Sequence, residues 1–383
     1  MPRPLLVVSD LHLSPSSDLR VSRALARAVG THPDAEVVIA GDSLDLSLLR
    51  QRGDAAASVA AFLRPHGELI DALSGRLRCG APVTFVLGNH DAALGQPASV
   101  ESLTEALGVS GAAPLQVAPW FVRRGAVHIE HGHAYDPDNA DVHPLASDTT
   151  GSEPLGIALT RRFLAPSGAL WFKHQHHTTP LSGLISCFKR YGVRAPKIVG
   201  QYFWVAAQLC LEARNSESAL DARGHAQARL AEFSAQVGVT PTALDALIEA
   251  MLPARHLDAR DTFLRLYFDR TIPTATLAVA LPLALAGNAV AAGVALASAA
   301  TLAISLRGGV SRYDREAEQR LQEGARFVRE LTEASHVILG HTHVETQEPG
   351  YTNLGSFAFS RRDGHAYLLV GAAGSVQREI LGT

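Results

Sequence analysis

Val83-Thr-Phe-Val-Leu-Gly88-Asn89-His90-Asp91 is the stretch on which the reading of this chain turns. An apolar run of strand length stops at a glycine, and an amide, an imidazole and a carboxylate follow at once. Strands whose ends deliver polar side chains are how an open α/β sheet builds a ligand site. The arrangement recurs on both sides. Leu5–Val8 leads to Asp10-Leu-His12, and Val37–Ala40 leads to Gly41-Asp42. Further on, Val127–Glu130 runs into His131-Gly-His133, and His336–Leu339 into Gly340-His341-Thr-His343.

The segments between these strands have helical spacing. Leu19–Val29 and Ala55–Leu77 carry helix-like apolar periodicity, and Ser99–Leu107 reads as a short capped helix. Leu115–Val117 adds a strand. Near the other end, Asp314–Glu333 reads as an amphipathic helix. Tyr351–Leu354, Ser356–Ser360, Ala366–Val370 and Val376–Leu381 follow as short strands, a β-meander closing a second sheet. The expectation is an α/β catalytic domain in two pieces, 1–145 and 312–383, interrupted by a helical cap over 146–311.

Composition narrows the function. With 383 residues there is room for a full core and a second module. A formal charge of −3 gives no global pull toward nucleic acid, and no long basic groove is visible outside the insertion. Cys79, Cys187 and Cys210 lie far apart, which excludes a disulfide framework and a thiolate metal site. Met1-Pro-Arg-Pro runs straight into a strand, so no signal peptide is read and the expected compartment is the cytoplasm.

Taken singly the five motifs are weak, because Gly-Asp and a lone strand-end histidine occur by chance. Together they have a physical logic. Two divalent cations need carboxylate, imidazole and amide ligands with one carboxylate shared; such a pair polarises a phosphoryl group and activates water. Asp, His and Asn without Cys suit manganese, iron or zinc. Glycine beside the ligands lets the backbone turn sharply.

The ordered set Asp10-x-His12, Gly41-Asp42, Gly88-Asn89-His90-Asp91, His131-Gly-His133 and Gly340-His341-x-His343 resembles the signature of the calcineurin-like metallophosphoesterases. The resemblance covers roughly 4–145 and 312–383. It implies a four-layer αββα sandwich and a dinuclear metal-dependent phosphoester hydrolase that attacks with a metal-bridging hydroxide. It implies that Asp10, His12 and His343 hold one metal, that Asp42 bridges, and that Asn89, His131 and His341 complete the second. His90 would then face the substrate and assist the leaving group, with Asp91 orienting it. His131 is taken as the ligand because it ends its strand, with His133 as a substrate contact or the reverse. Asp45 reads equally as a helix-cap carboxylate, and Asn353 as a loop residue near the metals or a turn residue. The run His131 to Asn139 is also similar to small bacterial phosphodiesterases. The order Asp-Leu-His-Leu followed by a Gly-Asp loop is similar to UDP-diacylglucosamine pyrophosphohydrolases. Those usually carry Arg at the place of His90, and His-Gly-Asp in place of His131-Gly-His133.

Two stretches of the insertion stand apart. No acidic residue lies between Glu153 and Glu212, where Arg161, Arg162, Lys173, Lys189, Arg190, Arg194 and Lys197 are interleaved with aromatics such as Trp171, Phe188, Tyr202 and Trp204. This suits an anionic membrane surface, and equally a solvated basic face or a funnel for an anionic substrate. No charge occurs from Thr271 to Leu306, and Gly287-Asn288 breaks the run near its middle. Asp10 and His343 must meet, so the chain cannot cross a membrane once and stop. A shallow re-entrant or interfacial hairpin fits; a soluble Ala-rich hairpin in the cap or in a homodimer interface is its rival. The cluster His174-Gln-His176-His177 reads more simply as a polar helix end than as a third metal site. The substrate expectation is a lipid-linked phosphodiester or pyrophosphate at the inner membrane face. Its alternative is a nucleotide or phosphoprotein met in solution. A non-catalytic scaffold ranks low, since no ligand is missing.

Overall fold

The computed structural model describes residues 3–109, 113–146, 153–174, 180–213, 217–309, 315–359, 364–372 and 374–382. His176 and His177 of the histidine cluster, and Ser360, lie outside the described residues. The chain divides into two compact units. One comprises Met1–Ile157, Glu217–Ala254 and Ala317–Thr383; the other comprises Ala158–Ser216 and Arg255–Glu316. Glu217–Ala254, which falls inside the 146–311 insertion drawn from sequence, therefore groups with the catalytic unit.

The first unit is built on two sheets. Its strands are β1 (Leu5–Val8), β2 (Glu36–Ala40), β3 (Val83–Val86), β4 (Leu115–Ala118), β5 (Phe121–Arg124), β6 (Val127–Glu130), β7 (His336–Leu339), β8 (Glu345–Glu348), β9 (Tyr351–Leu354), β10 (His365–Val370) and β11 (Val376–Leu381). One sheet runs β11-β10-β1-β2-β3-β4 and the other β5-β6-β7-β9-β8. β1 to β4 are parallel neighbours, and so are β6, β7 and β9.

Alternation along the strands produces the layers. Leu5, Val7, Val38, Ala40 and Val86 from one sheet meet Val122, Val127, Ile129 and Ile338 from the other in a shared core. The opposite faces of the first sheet, through Leu6, Val8, Val37 and Ile39, pack on the helices Leu19–Thr31, Ala55–Leu63 and Gly67–Arg78. Val337 and Leu339 of the second sheet pack on the helices Leu230–Val237, Pro241–Ala250 and Glu316–Thr332. Helix, sheet, sheet, helix is the expected four-layer sandwich.

Some local expectations shift. Ala55–Leu77 forms two helices because Pro65 and Gly67 break the run. Within the described residues, Ser356–Phe359 does not continue as a strand. Its Phe357 and Ala358 N–H groups donate instead to the Ser9 and Asp10 carbonyls, at 3.0 and 3.1 Å. The polar edge strand β8 carries no apolar alternation, which hid it from a periodicity reading.

In the second unit, Phe268–Leu285 and Ala289–Leu306 form an antiparallel hairpin. Gly287 turns at φ +93°, and the Asn288 side chain caps the return helix by accepting from the Ala291 N–H at 3.0 Å. At the open end, Arg270 donates to Ser305 Oγ (3.0 Å), Ser305 O (3.1 Å) and Gly309 O (2.9 Å), while Ser305 Oγ donates to Asp269 (2.6 Å).

Candidate metal centre

Parallel neighbours end at the same edge of their sheet, so β1, β2 and β3 deliver Asp10, Asp42 and Asn89 side by side. β6 and β7 deliver His131 and His341 in the same way. Backbone bonds then lock the loops together. The Asp10 N–H donates to Gly41 O (3.2 Å), the His12 N–H to Asp42 O (2.9 Å), and the Gly340 N–H to His131 O (2.9 Å). The His341 N–H reaches across to Asp10 Oδ2 at 3.1 Å.

The backbone is strained where the ligands sit. Eight non-glycine residues among those described have positive φ, and five of them are Asp10, His12, Asp42, His341 and His343. Such conformations cost of order 1 kcal/mol each and persist where the surroundings over-determine them. Glycines make room for the crowding: a Cβ at Gly88 would overlap Asp42, and one at Gly340 would overlap Ser9 and Asp10.

Side chains converge accordingly. Three overlapping groups bring ligand atoms within 4.8 Å of one another: Asp10, His12 and His343; His12, Asp42 and His90; Asp10, Asp42 and His131. His343 Nε2 lies 3.0 Å from Asp10 Oδ1 and 3.2 Å from His12 Nε2. His131 Nε2 lies 3.3 Å from Asp42 Oδ2 and 3.1 Å from Asn89 Oδ1. Two ligands each about 2.1 Å from one ion stand roughly 3–3.5 Å apart, so these spacings fit a bound cation.

The tautomers fit as well. His131 Nδ1 faces the Ala40 carbonyl at 3.0 Å, which only accepts, so Nδ1 keeps a proton in either charge state and Nε2 is the nitrogen left to face the cluster. His133 is buried with its Nδ1 unpartnered, and it joins none of the three groups. Burial pushes His133 well below the usual imidazole range, aided by His131 and His341. His341 likewise joins none of the three groups; its Nε2 pairs with Asp136 Oδ2 at 2.9 Å.

Charge is held against burial. Desolvation, the largest single influence, opposes ionisation of Asp10 and Asp42, but His131 beside both, His343 at Asp10, and His90 and His12 at Asp42 together outweigh it and hold the two carboxyls below their usual range. Burial alone would depress His131; Asp42 and Asp10 pull it instead up to about 10. Protons thus act as counterions for a carboxylate pair, which is the service a divalent cation performs when it displaces them.

His90 sits at the open side. Its Nδ1 meets Ser47 Oγ at 2.7 Å and Asp45 Oδ1 at 3.1 Å, and its Nε2 is 4.0 Å from Asp42 Oδ2. The expected pairing with Asp91 is corrected by this geometry. Asp91 accepts from the Gly88 N–H (2.7 Å), the Ser43 N–H (2.6 Å) and Ser43 Oγ (2.6 Å) and so binds two ligand loops together. Burial, then the Asp42 charge, raises its pKa. Asn353 likewise supports a loop, donating to Gly340 O (2.7 Å) and Thr342 Oγ1 (3.2 Å). Sequence reasoning passed over Ser47, Asn139 and Phe359. The Phe359 ring is exposed and lies 5.7 and 5.4 Å from the His12 and His343 rings. Asn139 closes the run singled out after His131 without a role assigned to it, Ser47 and Phe359 stand in no metal motif, and only contact reveals what the three touch.

Compared with known protein families, residues 3–203 match the calcineurin-like phosphoesterase description, just over half of the chain. The chain belongs to the calcineurin-like phosphoesterase family. Its members are metal-dependent phosphoester hydrolases that use a dinuclear divalent centre, and the Asp/His groups of this phosphoesterase fit that use. Comparisons with curated proteins and with solved structures return no match.

Proposed function

We propose that this phosphoesterase hydrolyses a lipid-linked phosphodiester or pyrophosphate at a membrane surface. Asp10, His12 and His343 would hold one cation, Asn89, His131 and His341 the other, with Asp42 available to both. When bound, the cations supply Lewis acidity to the phosphoryl oxygens and activate a water nucleophile. His90, aligned through Nδ1 by Asp45 and Ser47, presents Nε2 on the open side and delivers a proton to the departing oxygen.

The membrane part of the reading rests on the hairpin. Ala289–Leu306 is, among the described residues, the one helix long and apolar enough to cross a membrane. Only Ala291, Ala295 and Ser298 are buried on it, a narrow i, i+4, i+7 stripe facing its partner helix. Most of the rest is apolar and exposed, including Val290 at 78 %, Leu296 at 73 % and, on the partner, Leu285 at 81 %. A helix apolar on every side needs an apolar environment on every side. A second copy of the chain covers one face; a lipid phase covers all. Each leg has 18 residues, about 27 Å at 1.5 Å per residue, just short of a hydrocarbon core of ~30 Å. In the same unit, Lys189, Arg190, Arg194 and Lys197 are exposed beside Phe188 and Trp204, and Arg190 stacks 5.3 Å over Trp171.

Flotation with anionic liposomes at low and high salt tests this. Binding that survives high salt is the expected result and makes lipid-linked pyrophosphates the first substrates to assay. Absence of flotation in both conditions, with a dimer in solution, overturns the membrane reading and turns the assay to nucleotides and phosphoproteins.

A further inference from the structure

We propose that Asp136 is a positioning residue that sets the lone-pair direction of two metal ligands at once. The inference rests on the ligand assignment above. Its carboxylate is nearly buried and can only accept hydrogen bonds. Oδ2 lies 2.9 Å from His341 Nε2, so that nitrogen carries the proton and Nδ1 is left as the donor to a cation. The same oxygen accepts from Asn139 Nδ2 at 2.7 Å. That bond decides which way the Asn139 amide points, and its Oδ1 therefore accepts from Asn89 Nδ2 at 3.1 Å. Asn89 in turn is left with its Oδ1 toward His131 and the cluster, at 3.1 Å from Nε2.

Every step in this chain is forced by donor–acceptor polarity. A carboxylate at its head permits one orientation of each amide and one tautomer of His341. Asp136 Oδ1 is itself held by the Asp138 N–H at 3.0 Å, which keeps the acid in place. Gly156 lies against Asn139 so closely that a Cβ would overlap the amide, so the local backbone is shaped around this residue. None of these contacts reaches His12 or His343, the other ligands proposed for the first cation. Asp136 thus acts on one side of the centre only.

The test is titration of the purified, metal-stripped chain with Mn(II) alone, followed by calorimetry and by electron paramagnetic resonance. Wild type should take two ions and give the signal of a coupled pair. Asp136→Ala should weaken one of the two binding steps by about 10–100-fold, the size typical of losing an outer-shell partner of a metal ligand. The signal should become that of isolated Mn(II), with the other step unchanged. Asn139→Ala should produce a smaller loss of the same step, and the double variant should lose less than the sum of the two. Should Asp136→Ala fold poorly by circular dichroism, Asp136→Asn, which keeps the side-chain volume, and Asn139→Ala carry the test. Two unperturbed binding steps in well-folded Asp136 and Asn139 variants overturn the proposal. A wild-type chain that fails to bind two ions instead overturns the ligand assignment beneath it.

Discussion

The two units of this protein invert the usual distribution of polarity, in opposite directions. The catalytic unit buries charge: Asp10, Asp42, Asp91, Glu130 and His131 are each at most 1 % exposed. The hairpin unit exposes apolar surface: Val279, Leu283, Leu285, Val290, Leu296 and Ile304 are each more than half exposed. Neither arrangement serves stability. Burying an ion costs several kcal/mol unless it is paired, and leaving a Leu or Val in water forgoes about 1.5–3 kcal/mol of burial. Each pattern needs something outside the polypeptide to complete it. The charges call for cations, and the apolar legs call, on the function proposed above, for a lipid phase. The difference teaches that the same observation, a residue type on the wrong side of the surface, points to a small hard ligand in one unit and, on the proposed reading, to a large soft one in the other.

The sharpest way to break the first half of the comparison is Asp42→Asn. Removing the shared negative charge should take the chain from about two bound metals to one or none and abolish turnover. Elemental analysis that still finds a full pair would remove Asp42 from the bridging place. Next in size is His90→Ala, for which turnover should fall by roughly 10²–10⁴-fold while metal content stays at the wild-type value. Unchanged turnover would take His90 out of the reaction.

The second half is broken by making the hairpin polar. Leu283→Asp and Leu296→Asp each place a charge where lipid is expected, at about 2.5–3.5 kcal/mol, so each should weaken vesicle binding by roughly 100-fold. Metal content and turnover on a small soluble phosphodiester should not change. Vesicle binding equal to wild type would return the hairpin to a soluble role. The smallest effect separates the two carboxylates near His90. Asp91→Ala strands the buried Gly88 and Ser43 N–H groups and should lower stability by about 1–3 kcal/mol per lost bond in denaturant titration. Asp45→Asn should leave stability nearly intact and instead alter the pH profile of turnover. The reverse pattern would restore Asp91 as the partner of His90.

Much of the centre was legible in the sequence because each ligand follows directly from the end of an apolar strand. Strand periodicity and the position of Asp10, Asp42, Asn89, His131 and His341 are local facts, readable within a window of ten residues. The partner of His90 was not legible. Asp91 is adjacent in the chain, yet residues i and i+1 point apart where the backbone turns out of β3, and Asp45 approaches from the loop after β2. Adjacency in sequence was therefore a poor guide, and sheet order was the better one. The affiliation of Glu217–Ala254 escaped for a related reason: Phe233 packs on Trp120 and Phe121, more than a hundred residues earlier, and no local signal records that contact.

The sequence by itself determined the chemistry of this protein: which donor atoms it has, that they follow strands, that no thiolate is among them, and that one long stretch carries no charge. Periodicity and residue type are properties of short windows, so they survive without coordinates. Only the tertiary structure decided which donors meet, which nitrogen of each imidazole faces inward, and that the uncharged stretch folds as a hairpin with most of its apolar side chains exposed. Those are properties of pairs of residues distant in the chain, and they exist only once the two sheets have packed and the hairpin has closed.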